Sequence, residues 1–422
     1  VRLTDHERQM LDGGEGEAVA AAMRILVQYG EIMGAERLVE TDNVCGATVF
    51  GPRHSRVLGD TDPARLFSRF ALDSDEVLDV PKVKAHSCQL IGPRDPEHWD
   101  LQGMSAETSA EVESSQRYLA DRGVNLLSTC TPYQVGNDPR FGEHCAWMES
   151  SAVVYINSVL GARTNTEGRE SAAASMLTGR TPYAGLHLDE PRLATHRVVV
   201  DAPIRSTYDW NVLGYHLGDV LDDAVPVLDG AGLTPGPVDL KQFGAAIASS
   251  GDVELYHIPG VTPEARTLEE ALGGRAPRAA LHVGPADLAA ATERLNATAE
   301  SDEIDFVMIG CPHASLSQIR EVAELLDGRR VADSTRLWVF TPSALRTVAE
   351  RNGYREAIER AGGRIMSDTC PAIAQFLPPG TRTFATDSAK QAHYLPAIMG
   401  IGGHFGSTAR CVEAAVTGRW AA

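Results

Sequence analysis

Three cysteines share a context that the other four lack. Cys130 follows the apolar run 124–127 in STCTP, Cys311 follows 305–309 in DFVMIGCPHAS, and Cys370 follows 365–367 in RIMSDTCPAI. Each run predicts a strand, and each thiol has a proline close behind it: Pro132, Pro312 and Pro371. Proline turns the chain sharply and brings no N–H, so it helps fix a thiolate in a tight corner. In open parallel sheets, ligands bind just outside the carboxyl ends of the strands, where these thiols are expected. Three thiolates without a close-spaced pair suit an iron–sulfur cluster, whose ligands are cysteines. With three ligands on a four-iron cluster, one iron is left for substrate as a Lewis acid. The competing reading is that all three are buried small hydrophobes, the usual fate of a free cysteine. No C-x-x-C occurs, so neither a zinc ribbon nor a thioredoxin-type site is suggested.

The stretch from Ser128 to Asn165 carries the densest polar chemistry. Its loop holds Asn137, Asp138, Arg140, Glu143 and His144, groups that bind rather than pack. Glu149, Ser150 and Ser151 then open a helix with apolar residues Val153, Ile156, Val159 and Leu160 at helical spacing, stopped by Gly161. Beyond it, Arg163, Thr164 and Asn165 are suited to holding an anion, and Arg163 offers two parallel donors to a carboxylate; capping of the helix carbonyls is the alternative for Arg163. Glu143, His144, Ser150 and Ser151 are the candidate catalytic groups; Arg140, Asn137, Arg163, Thr164, Asn165 and Lys390 are the candidate substrate contacts. Glu143 and Glu149 are a possible acid/base pair. Among the other histidines, His313 stands two residues past Cys311, and His404 lies in GIGGHFG, where Phe405 takes the third glycine position of a dinucleotide loop; a tight turn before a helix is the better reading there.

The elements that must position these groups are alternating. At 422 residues the chain exceeds one core, and two or three domains are expected. Strands are predicted near 38–50, 77–83, 124–127, 197–200, 253–258, 279–283, 305–309, 336–340 and 365–367. Helices are predicted at 106–121, 149–160, 172–177, 210–221, 286–295, 315–326, 343–360 and 409–416. Such alternation implies parallel βαβ units in doubly wound sheets. The Pro- and Gly-rich segment 230–237 reads as a linker. The expected division is therefore an N-terminal α/β part, 1–232, completed by 375–422, and a βαβ-type domain, 233–374.

Composition narrows the function. A net charge of −19 argues against broad binding to phosphate backbones. No apolar run approaches a membrane span, and the start, VRLTDHE, reads as a capped helix rather than a signal peptide. Seven scattered cysteines, an odd number, fit a reducing compartment. A cytoplasmic protein with neither nucleic-acid nor membrane partners is expected.

The motifs STCTPY, FGEHCAWMESSAVVYINSVLGARTN, GCPHAS, DTCP and TDSAKQAHYLP, in this order, resemble the aconitase X family in its catalytic large-subunit form. The resemblance runs from LTDHERQMLDGGEGEAVAAAMRIL to Gly418-Arg419-Trp420. It implies an aconitase-like α/β fold around a central cluster cleft, an iron–sulfur cluster (4Fe–4S or 2Fe–2S) held by Cys130, Cys311 and Cys370, and a hydro-lyase reaction. It further implies dehydration of a small hydroxy-carboxylate, either cis-3-hydroxy-L-proline or (R)-5-phosphomevalonate. A phosphate calls for clustered Arg or Lys, and only Arg140, Arg163 and Lys390 present themselves, so cis-3-hydroxy-L-proline is preferred. The family also uses a small swivel domain; the large-subunit motifs account for residues 1–422, so a separately encoded small subunit is expected. A cluster-sensing or RNA-binding role, known among aconitase relatives, is the alternative from a different class, and the acidic charge counts against it.

Overall fold

A computed structural model describes residues 1–230 and 232–421. Its strands, in chain order, are β1 (Leu38–Glu40), β2 (Asn43–Ala47), β3 (His86–Gln89), β4 (Cys145–Trp147), β5 (Arg180–Pro182), β6 (His196–Val200), β7 (Pro226–Asp229), β8 (Ala279–Val283), β9 (Phe306–Ile309), β10 (Arg336–Thr341), β11 (Arg364–Ser367), β12 (Thr383–Thr386) and β13 (Gly402–Phe405). Apart from an antiparallel β1–β5 pair, they form three parallel sheets, ordered β3-β2-β4, β7-β6-β8 and β11-β10-β9-β12-β13. The mostly parallel α/β fold is as expected. Parallel strands need crossovers, and helices supply them.

The N-terminal sheet is wrapped by helices Glu17–Ile32 and Arg169–Thr178 over one apolar core. The second helix carries alanines for a steric reason. A Cβ placed on Gly46 of β2 would stand 2.3 Å from the Cβ of Ala172, so strand and helix meet only because both are small there.

Strand pairing groups the chain differently from the expected division. β6 and β7 pair with β8 across the 232/233 position, and helix Thr207–Leu221 packs on Pro237–Ser250. The proposed linker is therefore a loop inside one unit; its Ala231 lies outside the described residues. Likewise β12 pairs with β9, so residues 375–422 complete the third sheet and not the N-terminal part. Hydrogen bonding between parallel strands, set by tertiary contacts, overrode the local linker signal.

Other elements also differ. The 77–83 segment has no strand, and the run before Cys130 makes a single parallel bridge, Asn125 with Cys88 of β3. The 253–258 run likewise has one bridge, Val227 with His257. The expected helix 343–360 is two helices, parted at Gly353 with φ 74°. The GIGGHFG segment holds β13. A Cβ on Gly402 would lie 1.8 Å from the carbonyl oxygen of Thr298, so glycine there permits a close backbone approach and serves no nucleotide turn. His404 bonds the Ser301 carbonyl (3.0 Å) and stacks on Trp420, in the structural framework.

Candidate active site at the carboxyl ends of the strands

In the third sheet the connections run outward from β9, first to β10 and β11, then back across to β12 and β13. The reversal falls between β9 and β12, and a crevice forms at the carboxyl ends of strands at such a switch point. Cys311 follows β9 there, and Ser388 to Lys390 follow β12. Cys370 follows β11 and caps the short helix Pro371–Ala374. Cys130 stands beyond the extended segment beside β3.

These three thiols differ from the rest. They retain 7 %, 6 % and 7 % exposure for Cys130, Cys311 and Cys370, whereas Cys45, Cys88, Cys145 and Cys411 are at 0 %. Each receives an N–H. The backbone of His313 donates to Cys130 Sγ (3.3 Å), the side-chain amide of Gln391 to Cys311 Sγ (3.1 Å), and the backbone of Ile373 favours the Cys370 thiolate. They also sense one another. Burial raises the Cys130 thiol well above its usual value, with Glu149, Cys311 and Cys370 adding repulsion; burial and then Cys311 push Cys370 up to about 12. Burial raises Cys311 too, against the pull of Lys390, Gln391 and Ser388. Three soft sulfurs that repel as thiolates, each with a hydrogen-bond donor, fit a cluster that takes each cysteine on a different iron. Among the described residues no three His, Cys, Asp or Glu side chains are grouped to hold a single metal ion.

Facing the thiols is a buried ion pair that the sequence only half disclosed. Glu149 caps the helix Ser150–Tyr155 and accepts from Lys390 Nζ and from Ser151 Oγ (3.1 Å); Lys390 also reaches Ser151 Oγ (3.4 Å). Burial alone would raise the Glu149 carboxyl, but Lys390 and Ser151 reverse that and hold it below its usual range. Burial opposes the Lys390 charge, while Glu149, Cys311 and Cys130 outweigh it and hold its pKa up. Ser150 begins the same helix. Glu149 was legible as the residue opening that helix, but its partner lies 241 residues on.

The other expected contacts are elsewhere. β4 separates Glu143 and His144 at its start from Glu149 at its end, about 10 Å along a strand of this length. Glu143 therefore pairs with the Arg140 amide (2.9 Å), not with Glu149, and Arg140 is exposed. After its helix and a π turn, Ile156–Leu160, the chain returns alongside β4 in parallel, bridging His144 with Arg163 and Trp147 with Thr166. This crossover carries Arg163 to the opposite edge. There its guanidinium donates to the His187 carbonyl (2.9 Å) and to Asp189. Thr164 Oγ1 accepts from the Trp147 amide (3.0 Å) and Asn165 accepts from the Leu186 amide (2.8 Å), so both brace the backbone. Asn137 is buried, bonding Asn43 (2.7 Å) and Cys88. His144 Nδ1 meets His187 Nδ1 at 3.0 Å.

A cavity of about 500 Å³ opens at that edge, lined by Arg163, Arg192 and Arg266 among others. Each guanidinium is paired, with Asp189, Glu264 and Glu270 respectively. Its guanidinium groups are therefore not free to take a carboxylate.

The sequence matches the aconitase X first domain over residues 1–190, the second domain over 194–293 and the third domain over 304–417. Those limits coincide with the three parallel sheets. The phosphomevalonate dehydratase large subunit of Methanothermobacter thermautotrophicus is 39 % identical over 402 residues, 95 % of each chain. The cis-3-hydroxy-L-proline dehydratase of Pseudomonas aeruginosa is 37 % identical over 425 residues, 99 % of this chain and 70 % of that one. The crystal structure of Thermococcus kodakaraensis aconitase X (holo-form) superposes with a TM-score of 0.82 at 34 % identity, covering 98 % of this chain and 100 % of that one. With sheets, domain limits and relatives all in agreement, the chain belongs to the aconitase X family and is an enzyme of the hydro-lyase type.

Proposed function

We propose that the chain is the catalytic large subunit of an iron–sulfur-dependent dehydratase that removes water from cis-3-hydroxy-L-proline. The observation that carries this reading is the meeting of Cys130, Cys311 and Cys370 with the Glu149–Lys390 pair at the carboxyl ends of the strands. The cluster, when bound, supplies a Lewis-acid iron for the substrate hydroxyl. Lys390 and the start of the helix Ser150–Tyr155 hold the substrate carboxylate, an anion at a helix N-terminus. When that carboxylate engages Lys390, Glu149 is freed to accept the proton α to it, with Ser151 orienting both. The C–H electrons form the new double bond, the hydroxyl on the neighbouring carbon leaves with the C–O electron pair, and the proton taken by Glu149 completes it as water and restores the carboxylate.

A compact zwitterion suits this site, because Lys390 stands with the Glu149 carboxylate, while Arg163 pairs with Asp189. Phosphomevalonate is the second reading, favoured by the 39 % identity to the archaeal large subunit. That relative's description as a large subunit, and the 70 % coverage of the Pseudomonas protein, support a small swivel partner. A reducing, cytoplasmic setting is part of the proposal, since all seven cysteines are free. Among the described residues no helix is long and apolar enough to cross a membrane.

Anaerobic co-expression with a small subunit, followed by assays of both substrates, tests this. Turnover of cis-3-hydroxy-L-proline alone supports the reading, and turnover of phosphomevalonate alone replaces it with the second. Salt-dependent retention of RNA without turnover of either would overturn both in favour of a binding role.

A further inference from the structure

All three thiol-bearing loops meet at one residue, His313. His313 belongs to the Cys311 loop and is 0 % exposed. Its backbone N–H donates to Cys130 Sγ (3.3 Å). Its ring Nδ1 lies 2.8 Å from Oγ1 of Thr129, the residue before Cys130. Its ring Nε2 lies 3.1 Å from the carbonyl oxygen of Thr369, the residue before Cys370. Its own carbonyl accepts from Lys241 Nζ (2.8 Å) and from the Gln134 side chain (3.1 Å).

The proton positions in this network follow from the partners. A carbonyl only accepts, so Nε2 carries the proton toward Thr369. Nδ1 is then an acceptor, and the Thr129 hydroxyl donates to it. With its proton so placed, Thr129 Oγ1 accepts from the Thr131 amide (3.0 Å) and lies 3.1 Å from the Thr131 hydroxyl. Thr129, Thr131 and Thr369 are all 0 % exposed. A buried, satisfied network of this kind specifies one geometry.

We infer that His313 is the positioning residue that sets the spacing of Cys130, Cys311 and Cys370, by bonding through its backbone and both ring nitrogens to the loops on either side of its own. Its neutral ring acts as a two-ended strut with a donor at one end and an acceptor at the other. A carboxamide also has one donor and one acceptor end, so glutamine can replace part of the strut, whereas leucine fills the volume and bonds neither loop. This inference rests on the three-cysteine reading, but its primary test needs no cluster.

The experiment is timed alkylation of cluster-free protein by iodoacetamide, read by mass spectrometry at each cysteine. His313→Leu should speed modification of Cys130 and Cys370 by about tenfold, the scale of one lost hydrogen bond. Cys145 and Cys411, buried outside this network, serve as internal controls and should not change. Thr129→Val, a milder variant, should speed Cys130 alone. On reconstitution, His313→Leu should lose most of its iron and sulfide, and His313→Gln should regain part of both with a shifted visible or EPR spectrum. Unchanged rates at Cys130 and Cys370 in folded His313→Leu would overturn the inference, as would equal acceleration at all seven cysteines. The three-cysteine reading fails separately, if Ser at those positions leaves iron content intact.

Discussion

The two ends of β4 hold similar residues and face different problems. At its start, His144, His187, Arg163, Asp189, Arg192 and Glu264 form a dense polar group beside a cavity. At its end, Glu149, Ser151 and Lys390 face three cysteines. In the first group cation meets carboxylate, Arg163 with Asp189 and Arg192 with Glu264, and Arg192 also donates to the carbonyls of Leu186 (3.1 Å) and Asn157 (3.0 Å). That arrangement braces the π turn and the loops around it. In the second group the sulfurs have N–H donors, while the two ammoniums near them are engaged elsewhere, Lys390 with Glu149 and Lys241 with the His313 carbonyl and Gln318. Polar density alone therefore does not mark a site. What marks it is a set of soft donors whose charge the protein by itself leaves uncompensated.

Serine substitution should break this contrast most completely. Cys130→Ser, Cys311→Ser and Cys370→Ser should each lose most of the bound iron and sulfide and all measurable activity. Cys145→Ser and Cys411→Ser should keep their metal. Iron, sulfide and visible absorbance measure this, and full cluster content in the first three variants would erase the distinction between the cysteines.

Next in size is the buried ion pair. Lys390→Met strands the Glu149 carboxylate, a change that costs about 3–5 kcal/mol when a buried pair loses one partner. Turnover should fall at least ~100-fold, the scale of losing about 3 kcal/mol of transition-state stabilisation. The double variant Lys390→Met/Glu149→Gln should recover most of the stability, measured by denaturant unfolding, without recovering turnover. Recovery of both would make the pair purely structural.

The start of β4 should show itself in acid. Burial, followed by His144, Arg192 and Arg163, pushes the His187 imidazole down to about 3, so it folds neutral. Unfolded, it binds a proton near pH 6.5. Its contribution is therefore fully present above pH 6.5 and is lost as pH falls from there toward 3, by about 2 kcal/mol at pH 5. His187→Gln should flatten that limb of the stability curve while leaving cluster content unchanged.

The smallest effect is expected from Arg163→Lys. Its partner Asp189 is 89 % exposed, and such pairs contribute about 0–1 kcal/mol. Melting should drop by roughly 1–3 °C, with turnover per cluster within about twofold of the parent. A loss of tenfold or more in turnover would return Arg163 to the substrate and dissolve the contrast between the two ends.

Local pattern was enough for much of the fold. The helix opened by Glu149 and ended at Gly161, where φ is 69°, was legible from spacing and a stop residue, as was the strand–helix alternation beyond residue 279. The three thiols stood out because an apolar run and a proline are both local features, although the run before Cys130 forms a single bridge and not a strand. The sequence motifs also carried the family. What lay beyond them was pairing. β12 and β13 are only four residues each, too short for a period to declare itself, yet β12 beside β9 creates the crevice and brings Lys390 to Glu149. Conversely, Arg163 and Ser151 are close neighbours in sequence, but the helix between them and the parallel return along β4 send them to opposite edges. Sequence determines which residues can start a helix, end a strand or bind a metal, because those depend on neighbours within a turn or two. Which of them share a site depends on strand order and crossover direction, which only the burial and hydrogen bonding of the whole chain decide.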